Sequence, residues 1–223
     1  MANIVITGAN RGIGFELAKL FAARGDQVTA ICRTSNDEIE DLADQVISGI
    51  DVADDAAIAS IPSLLEMLLD GPIDVLINNA GVFHNETLAD MDVDRIREQF
   101  ELNTLAPLLL TQAVLPLLTS GSKVINITSR MGSISDNGSG AYYGYRASKA
   151  GLNAVSKSLA VDLKPHGVAV AVLHPGFVQT RMVGFAGDIS PAEAASGLAA
   201  RIDELTLDTS GGFWHSNGQS LPW

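Results

Sequence analysis

Cysteine is almost missing from this chain: Cys32 stands alone among 223 residues. No intrachain disulfide can form, and a reducing compartment, the cytoplasm, is expected. Basic residues are scarce as well, with 14 Lys and Arg against 26 Asp and Glu and a formal net charge of -12. A nucleic-acid-binding surface needs clustered Lys and Arg to displace counterions, so nucleic acid is not an expected partner. The N-terminus, MANIVITGAN, has neither the basic start nor the apolar core of a signal peptide. The longest apolar stretch, LNTLAPLLLTQAVLPLL (102–118), is interrupted by Asn103, Thr104, Thr111, Gln112 and prolines. It is too short and too polar to span a membrane. No flexible linker, internal repeat or low-complexity tract divides the chain, and no His/Cys/Asp grouping has metal-ligand spacing. The expectation is one soluble domain over residues 1–223, without a metal.

What the chain does have is hydrophobic residues, 47% of the total, enough for a substantial core. Short Val- and Ile-rich runs recur at 3–7, 27–32, 45–50, 73–78, 122–128 and 168–174. They lack strict alternation, which fits strands covered on both faces and therefore a parallel sheet. Segments of helical period lie between them, around 12–24, 54–70, 92–119 and 142–163, with a further helix expected near 191–204. Ile13, Leu17, Leu20 and Phe21 trace one apolar stripe, and Leu152, Val155, Leu159 and Leu163 another. The ending GFWHSNGQSLPW supplies a candidate last strand. Strand–helix alternation of this kind predicts an α/β fold, a doubly wound parallel Rossmann-type sheet flanked by helices. Ligands in such sheets bind beyond the carboxyl ends of the strands.

TGANRGIG (7–14) follows the first strand and opens the first helix. Gly8 permits the tight turn, Gly12 lets backbone approach a phosphate, and Gly14 allows close helix–strand packing. Free N–H groups at the helix start then face the pyrophosphate of a dinucleotide. The spacing resembles the T-G-x-x-x-G-I-G fingerprint of the short-chain dehydrogenase/reductase family. Further segments resemble that family in the same order. They are Asp51-Val52 after the third strand, Asn78-Asn79-Ala80-Gly81 after the fourth, and Ser129 ending the fifth. Tyr145-x-x-x-Lys149 and Pro175-Gly176-Phe177-Val178-x-Thr180 complete the set. The resemblance implies a cofactor cradle of Gly8, Asn10, Arg11, Gly12, Ile13, Gly14, Arg33, Asp51, Val52, Asn79, Ala80, Gly81, Pro175, Gly176, Val178 and Thr180, with Tyr145 and Lys149 also touching the cofactor.

NAD-specific members of the family carry an acidic residue at the end of the second strand. Here no carboxylate follows Cys32 until Asp37, and Arg33 stands in its place, with Arg11 in the glycine turn. Two guanidinium groups suit a 2′-phosphate. NADP(H) is therefore expected in preference to NAD(H), which stays open.

All three tyrosines fall within GAYYGYRASK (140–149). Reduction of a carbonyl by a nicotinamide needs a proton donor at oxygen, and a tyrosine serves if a nearby ammonium lowers its pKa. Side chains at i and i+4 share a helix face, and only Tyr145 has a lysine, Lys149, at that spacing. Ser129 is the preferred partner because it ends a strand, although Ser133 stands closer to the usual spacing. The family resemblance adds Asn103, thought to hold a relay water. Pro107, four residues on, lacks an N–H and would leave the Asn103 carbonyl free at a helix kink. The catalytic set expected is Asn103, Ser129, Tyr145 and Lys149, acting on a small carbonyl or alcohol. Within the family, RMGSISDNGSGAYYGYRASKAGLN and the C-terminal ending resemble the branch of C-factor-type signalling proteins and sniffer-type carbonyl reductases. That branch raises a second reading, a cofactor-binding developmental signal with little turnover. A homodimer through the 92–119 and 142–163 helices stays open.

Overall fold

Every residue from Ile4 to Ile6 in the first strand is sealed from solvent, yet neighbouring residues point to opposite sides. Ile4 and Ile6 enter one hydrophobic cluster and Val5 the other, so this strand is covered twice. The computed structural model describes residues 1–223. Its strands are β1 (Asn3–Thr7), β2 (Gln27–Ile31), β3 (Gln45–Ile47), β4 (Ile73–Asn78), β5 (Leu118–Ile127), β6 (Ala169–His174) and β7 (Gly212–His215). They form one seven-stranded sheet in the order β3-β2-β1-β4-β5-β6-β7, and every named pairing is parallel. The expected doubly wound sheet is therefore present, with its reversal of strand order between β1 and β4.

The helices are α1 (Gly12–Ala23), α2 (Asp37–Leu42), α3 (Asp55–Leu68), α4 (Val93–Phe100), α5 (Ala106–Ala113), α6 (Tyr143–Leu163) and α7 (Pro191–Glu204). Leu17 and Phe21 of α1, and Ala195, Leu198 and Ile202 of α7, cover one face of the sheet. Ile61 and Leu65 of α3, Leu110 of α5 and Leu163 of α6 cover the other. No helix is long and apolar enough to cross a membrane.

Two expectations need correction, and one helix, α2, was not among those expected. The helix anticipated over 92–119 is α4 and α5 joined by a π-helical turn, Glu101–Leu105, in which the Ala106 N–H bonds the Glu101 carbonyl. The missing Pro107 N–H falls where the hydrogen-bond register changes, so the proline is absorbed without ending the helical path. The segment between residues 37 and 42 is helical although it has no apolar stripe. Asn36 caps it by accepting from the Ile39 N–H at 3.0 Å, and Asp37 and Glu38 favour its positive end. β5 begins four residues before the expected 122, where Leu118 pairs with Ile73 ahead of a register shift.

The sheet's second face also carries a polar ladder. Asn78 Nδ2 donates to Asn126 Oδ1 at 2.8 Å, and Asn126 Nδ2 donates to Ser156 Oγ at 2.8 Å. This ties β4 to β5 and β5 to α6, and all three residues are buried. An apolar residue at 126 would leave the Asn78 amide dependent on the longer 3.3 Å contact with Thr111. Asn126→Leu is expected to lower unfolding free energy by about 2 kcal/mol, measured by urea denaturation beside the parent chain.

Candidate active site

The glycine turn is built where the strand order reverses. Gly8 has φ +67°, and a Cβ there would stand 3.0 Å from Ala80 Cα, so only glycine lets the ends of β1 and β4 approach this closely. Asn79 Nδ2 donates to the Thr7 carbonyl at 3.0 Å and the Gly8 carbonyl at 3.2 Å. Thr7 Oγ1 accepts from the Asn79 and Ala80 N–H groups at 3.0 and 3.1 Å. A Cβ on Gly14 would collide with the Gly8 carbonyl and the Asn79 amide. Ile13 packs against the adjoining cluster.

The start of α1 is open. Arg11 at its N-cap makes no side-chain bond, and no acidic residue lies in the first turn. Side chains of Asn36, Asp54, Asp92 and Ser190 cap α2, α3, α4 and α7. The first N–H groups of α1 thus remain available to an anion. Gly12, at φ +58°, faces Thr180 across the turn, where a Cβ would stand 3.6 Å from the threonine methyl. Thr180 arrives on the loop after β6. Gly176 turns this loop at φ +98°, and the buried Val178 bridges to Ile189. Pro175 is tied down by the Ser216 hydroxyl, which donates to its carbonyl at 2.9 Å.

At the far end of the turn, Asn10 Nδ2 donates to the Thr34 carbonyl at 2.7 Å and Asn36 Nδ2 donates to the Asn10 carbonyl at 3.0 Å. These bonds draw the loop after β2 against the glycine turn. Arg11 and Arg33 are both exposed there, and Arg33 makes only a loose 3.5 Å pair with Asp51. Asp51 otherwise accepts from the Ala53 N–H at 3.0 Å, and Val52 beside it is buried.

The sequence-predicted residues on the other side of Gly81 also converge. A Cβ on Gly81 would lie 3.0 Å from Asn103 Oδ1 and 3.8 Å from Lys149 Nζ. Lys149 Nζ donates to the Ile127 carbonyl at 2.9 Å and lies 5.9 Å from the centre of the Tyr145 ring. Burial pushes the Lys149 amine down to about 7. Burial also pushes the Tyr145 phenol up to about 12, while the Ser129 hydroxyl beside it pulls the other way. The Tyr145 shift is thus set by burial and by Ser129, and not by the Lys149 that the sequence placed beside it. Desolvation dominates both groups and drives their pKa values apart in the direction that favours the neutral forms.

Ser129 and Ser133 separate cleanly. Ser129 Oγ faces Tyr145 and accepts from the Met131 N–H at 3.1 Å. Ser133 Oγ instead donates to the Trp223 carbonyl at 3.0 Å and accepts from the Asp136 N–H at 3.2 Å. Asn103 is wholly buried, and its side chain is fully engaged. Oδ1 accepts from the Val82 N–H at 2.9 Å, while Nδ2 donates to the Val82 carbonyl at 2.9 Å and to Ser148 Oγ at 3.1 Å.

Sequence reading passes over Phe83, which stands between the tyrosines. Its ring lies 5.6 Å from that of Tyr142, stacked, and 4.9 Å from that of Tyr145, edge-on. No periodicity marks Phe83, and its position just past Asn78-Asn79-Ala80-Gly81 was the one available signal. His84, beside it, pairs with Glu98 at 2.9 Å.

Comparison with known proteins follows these features along the chain. A family model described as short chain dehydrogenase matches residues 2–188. The 1-hydroxy-2-glutathionyl-2-methyl-3-butene dehydrogenase of Rhodococcus sp. (strain AD45) is 38% identical over 227 residues, covering 100% of both chains. The C-signal of Myxococcus xanthus is 42% identical over 156 residues, covering 69% of this chain and 94% of that one. The crystal structure of an NADPH-bound carbonyl reductase from chicken fatty liver superimposes with a TM-score of 0.91 at 31% identity, covering 100% of this chain and 99% of that one. With its glycine turn, its Asn-Asn-Ala-Gly segment and its Tyr145/Lys149 pair assembled on one sheet edge, this chain belongs to the short-chain dehydrogenase/reductase family.

Proposed function

We propose that the chain is an NADP(H)-dependent oxidoreductase interconverting a small carbonyl compound and its alcohol. The observation that carries this reading is the meeting of the half-buried Tyr145 with the buried Lys149 and Ser129 beside Gly81, at the carboxyl ends of β4 and β5. The uncapped start of α1, the bare Cα of Gly12 and the facing Thr180 fit a dinucleotide pyrophosphate. Arg11 and Arg33, exposed with no acidic residue between β2 and Asn36, fit a 2′-phosphate better than a 2′-hydroxyl. NADPH in the chicken carbonyl reductase supports the same choice. When bound, the nicotinamide supplies or accepts the hydride.

The chain's own residues handle the oxygen and its proton. Tyr145 keeps a proton on Oη throughout the neutral range, because its pKa is raised to about 12, and so holds a donor ready for the reductive direction. Ser129 Oγ orients the carbonyl oxygen toward that phenol. Lys149 holds the nicotinamide ribose, and its amine near 7 gains the ammonium charge when an anionic cofactor arrives. Asn103 contributes to the proton path through its backbone carbonyl, since its side chain is occupied by Val82 and Ser148. The relation to C-signal favours a second reading, a cofactor-binding signal, but that role has no use for a Tyr145/Lys149 pair. The half-exposed Leu105 and Leu115 and the exposed Val161, on the α4–α5 segment and α6, support a homodimer through these helices. The lone buried Cys32 supports a reducing, cytoplasmic location.

Three measurements test this reading. Tyr145→Phe is expected to cut NADPH consumption against a panel of aldehydes and ketones by at least about 100-fold. Equal rates for the two proteins would refute the enzymatic reading. Arg33→Ala should reduce the preference for NADPH over NADH, as a ratio of kcat/KM, by about tenfold to a hundredfold; an unchanged ratio removes Arg33 from the cofactor site. The third concerns pH. In the free protein Lys149 is cationic below about 7 and neutral above it, whereas Tyr145 stays protonated to about 12. Reductive kcat/KM should therefore decline as pH rises through about 7, and a flat profile through that point contradicts the assignment.

A further inference from the structure

Glu86 is a carboxylate with 1% of its surface exposed, and no lysine or arginine pairs with it. Its two oxygens face different partners. Oε1 accepts from the Gln99 amide Nε2 at 2.6 Å, and Oε2 accepts from the Gly144 N–H at 3.1 Å. Gln99 is itself 0% exposed, and its own Oε1 accepts from the His84 N–H at 2.9 Å. The Glu86 carbonyl also accepts from the Tyr142 N–H at 2.8 Å. The Glu86–Gln99 side-chain pair therefore holds the N–H groups of His84 and Gly144, and the Glu86 backbone adds Tyr142, which ties the segment after β4 to the first turn of α6.

That turn needs an external tie. Ala141 and Tyr142 both have φ 53°, two consecutive non-glycine residues in the left-handed region, and Tyr142 at the N-cap makes no side-chain capping bond. The Glu86 carboxylate takes the place of a local cap, putting its charge where helix N–H groups are unpaired. Gly144 is glycine for the same reason: a Cβ there would run into the Gln99 amide and approach Ile96 Cα to 3.0 Å. One residue later comes Tyr145, with Phe83 against its ring edge.

We infer that Glu86, oriented by Gln99, is a positioning residue that sets the Tyr145 phenol by anchoring the first turn of α6 to the segment carrying Phe83. The inference rests on the reading of Tyr145 as the proton donor. It depends on a chemical asymmetry that an amide cannot reproduce. Glu86 offers acceptors to two donors, Gln99 Nε2 and Gly144 N–H. In Glu86→Gln the new amide NH₂ opposes either of them. If Gln99 flips to relieve this, its own NH₂ opposes the His84 N–H. A donor facing a donor is thus unavoidable in the single variant. Exchanging both residues, E86Q with Q99E, restores an acceptor for Gly144 N–H, an acceptor for His84 N–H and a donor–acceptor pair between the side chains, and gives up only the 3.3 Å bond that Gln99 Nε2 donates to the Arg95 carbonyl.

The test uses the whole protein, and its three tyrosines make it readable by carbon-13 labelling of the tyrosine ζ carbon. The Tyr145 resonance is identified by its loss in Tyr145→Phe. In E86Q that resonance is expected to move and kcat to fall at least about tenfold, while KM for NADPH, bound chiefly at the distant glycine turn, stays unchanged. The E86Q/Q99E exchange returns both resonance and kcat toward the parent. An unmoved Tyr145 resonance overturns the inference, as does a matched loss of NADPH binding and kcat. If E86Q fails to fold, the exchange variant decides alone: a folded protein with the parent resonance supports the inference, and one with a displaced resonance overturns it. Should the parent protein reduce no carbonyl at all, the proton-donor reading falls, while the resonance still reports whether Glu86 positions Tyr145.

Discussion

The Thr7–Asn79 clamp is the contact on which the glycine turn and the cluster around Gly81 both depend. It joins the carboxyl ends of two neighbouring parallel strands, β1 and β4, at the point where the strand order reverses. One side chain, Asn79, satisfies carbonyls that the glycine turn leaves without ladder partners, and the Thr7 hydroxyl satisfies the N–H groups that β4 releases. On one side of this clamp the turn is free to aim the start of α1 outward. On the other, the chain continues to Gly81, against which Asn103 and Lys149 are packed. Loosening the clamp would disturb both sides together.

Away from the clamp, buried polar side chains act mainly on backbone. Asn103 holds both polar groups of Val82, Glu86 holds Gly144, Thr104 Oγ1 donates to the Ser148 carbonyl at 2.7 Å, and Lys149 donates to Ile127. The Asn103 and Glu86 bonds fix a loop to a helix, and the Thr104 and Lys149 bonds join α6 to the π turn and to the end of β5, which gives residues gathered from strand ends a defined geometry. Desolvation moves the pKa values of Tyr145 and Lys149 in opposite directions, up to about 12 for the phenol and down to about 7 for the amine.

Much of this could be read along the chain because it depends on local rules. Gly8, Gly12 and Gly14 are legible because the turn needs absent side chains, and the i, i+4 rule singles out Tyr145 from Tyr142 and Tyr143. The β-strands are legible because burial on both faces demands continuous apolar runs. Local rules fail at α2, whose acidic sequence has a cap and a charge pattern but no apolar stripe. They stop short again at 101–105, where Pro107 marks a break in the hydrogen-bond register but not the π turn that accommodates it. Phe83, Glu86 and Gln99 carry no periodic signal, because the contacts that join them to one another's segments and to α6 span 13 or more residues.

The sequence by itself determined the fold class, the glycine turn, and the lysine that selects one tyrosine of three, since each follows from spacing within a strand or a helix. Only the tertiary structure put Ser129 rather than Ser133 against Tyr145, because the intervening loop can take up residues at little cost and the C-terminal Trp223 carbonyl engages the other serine. It also decided the direction of the Tyr145 pKa. A neighbouring lysine argues for a lower value and burial for a higher one. Burial is a property of the packed site, not of any spacing along the chain.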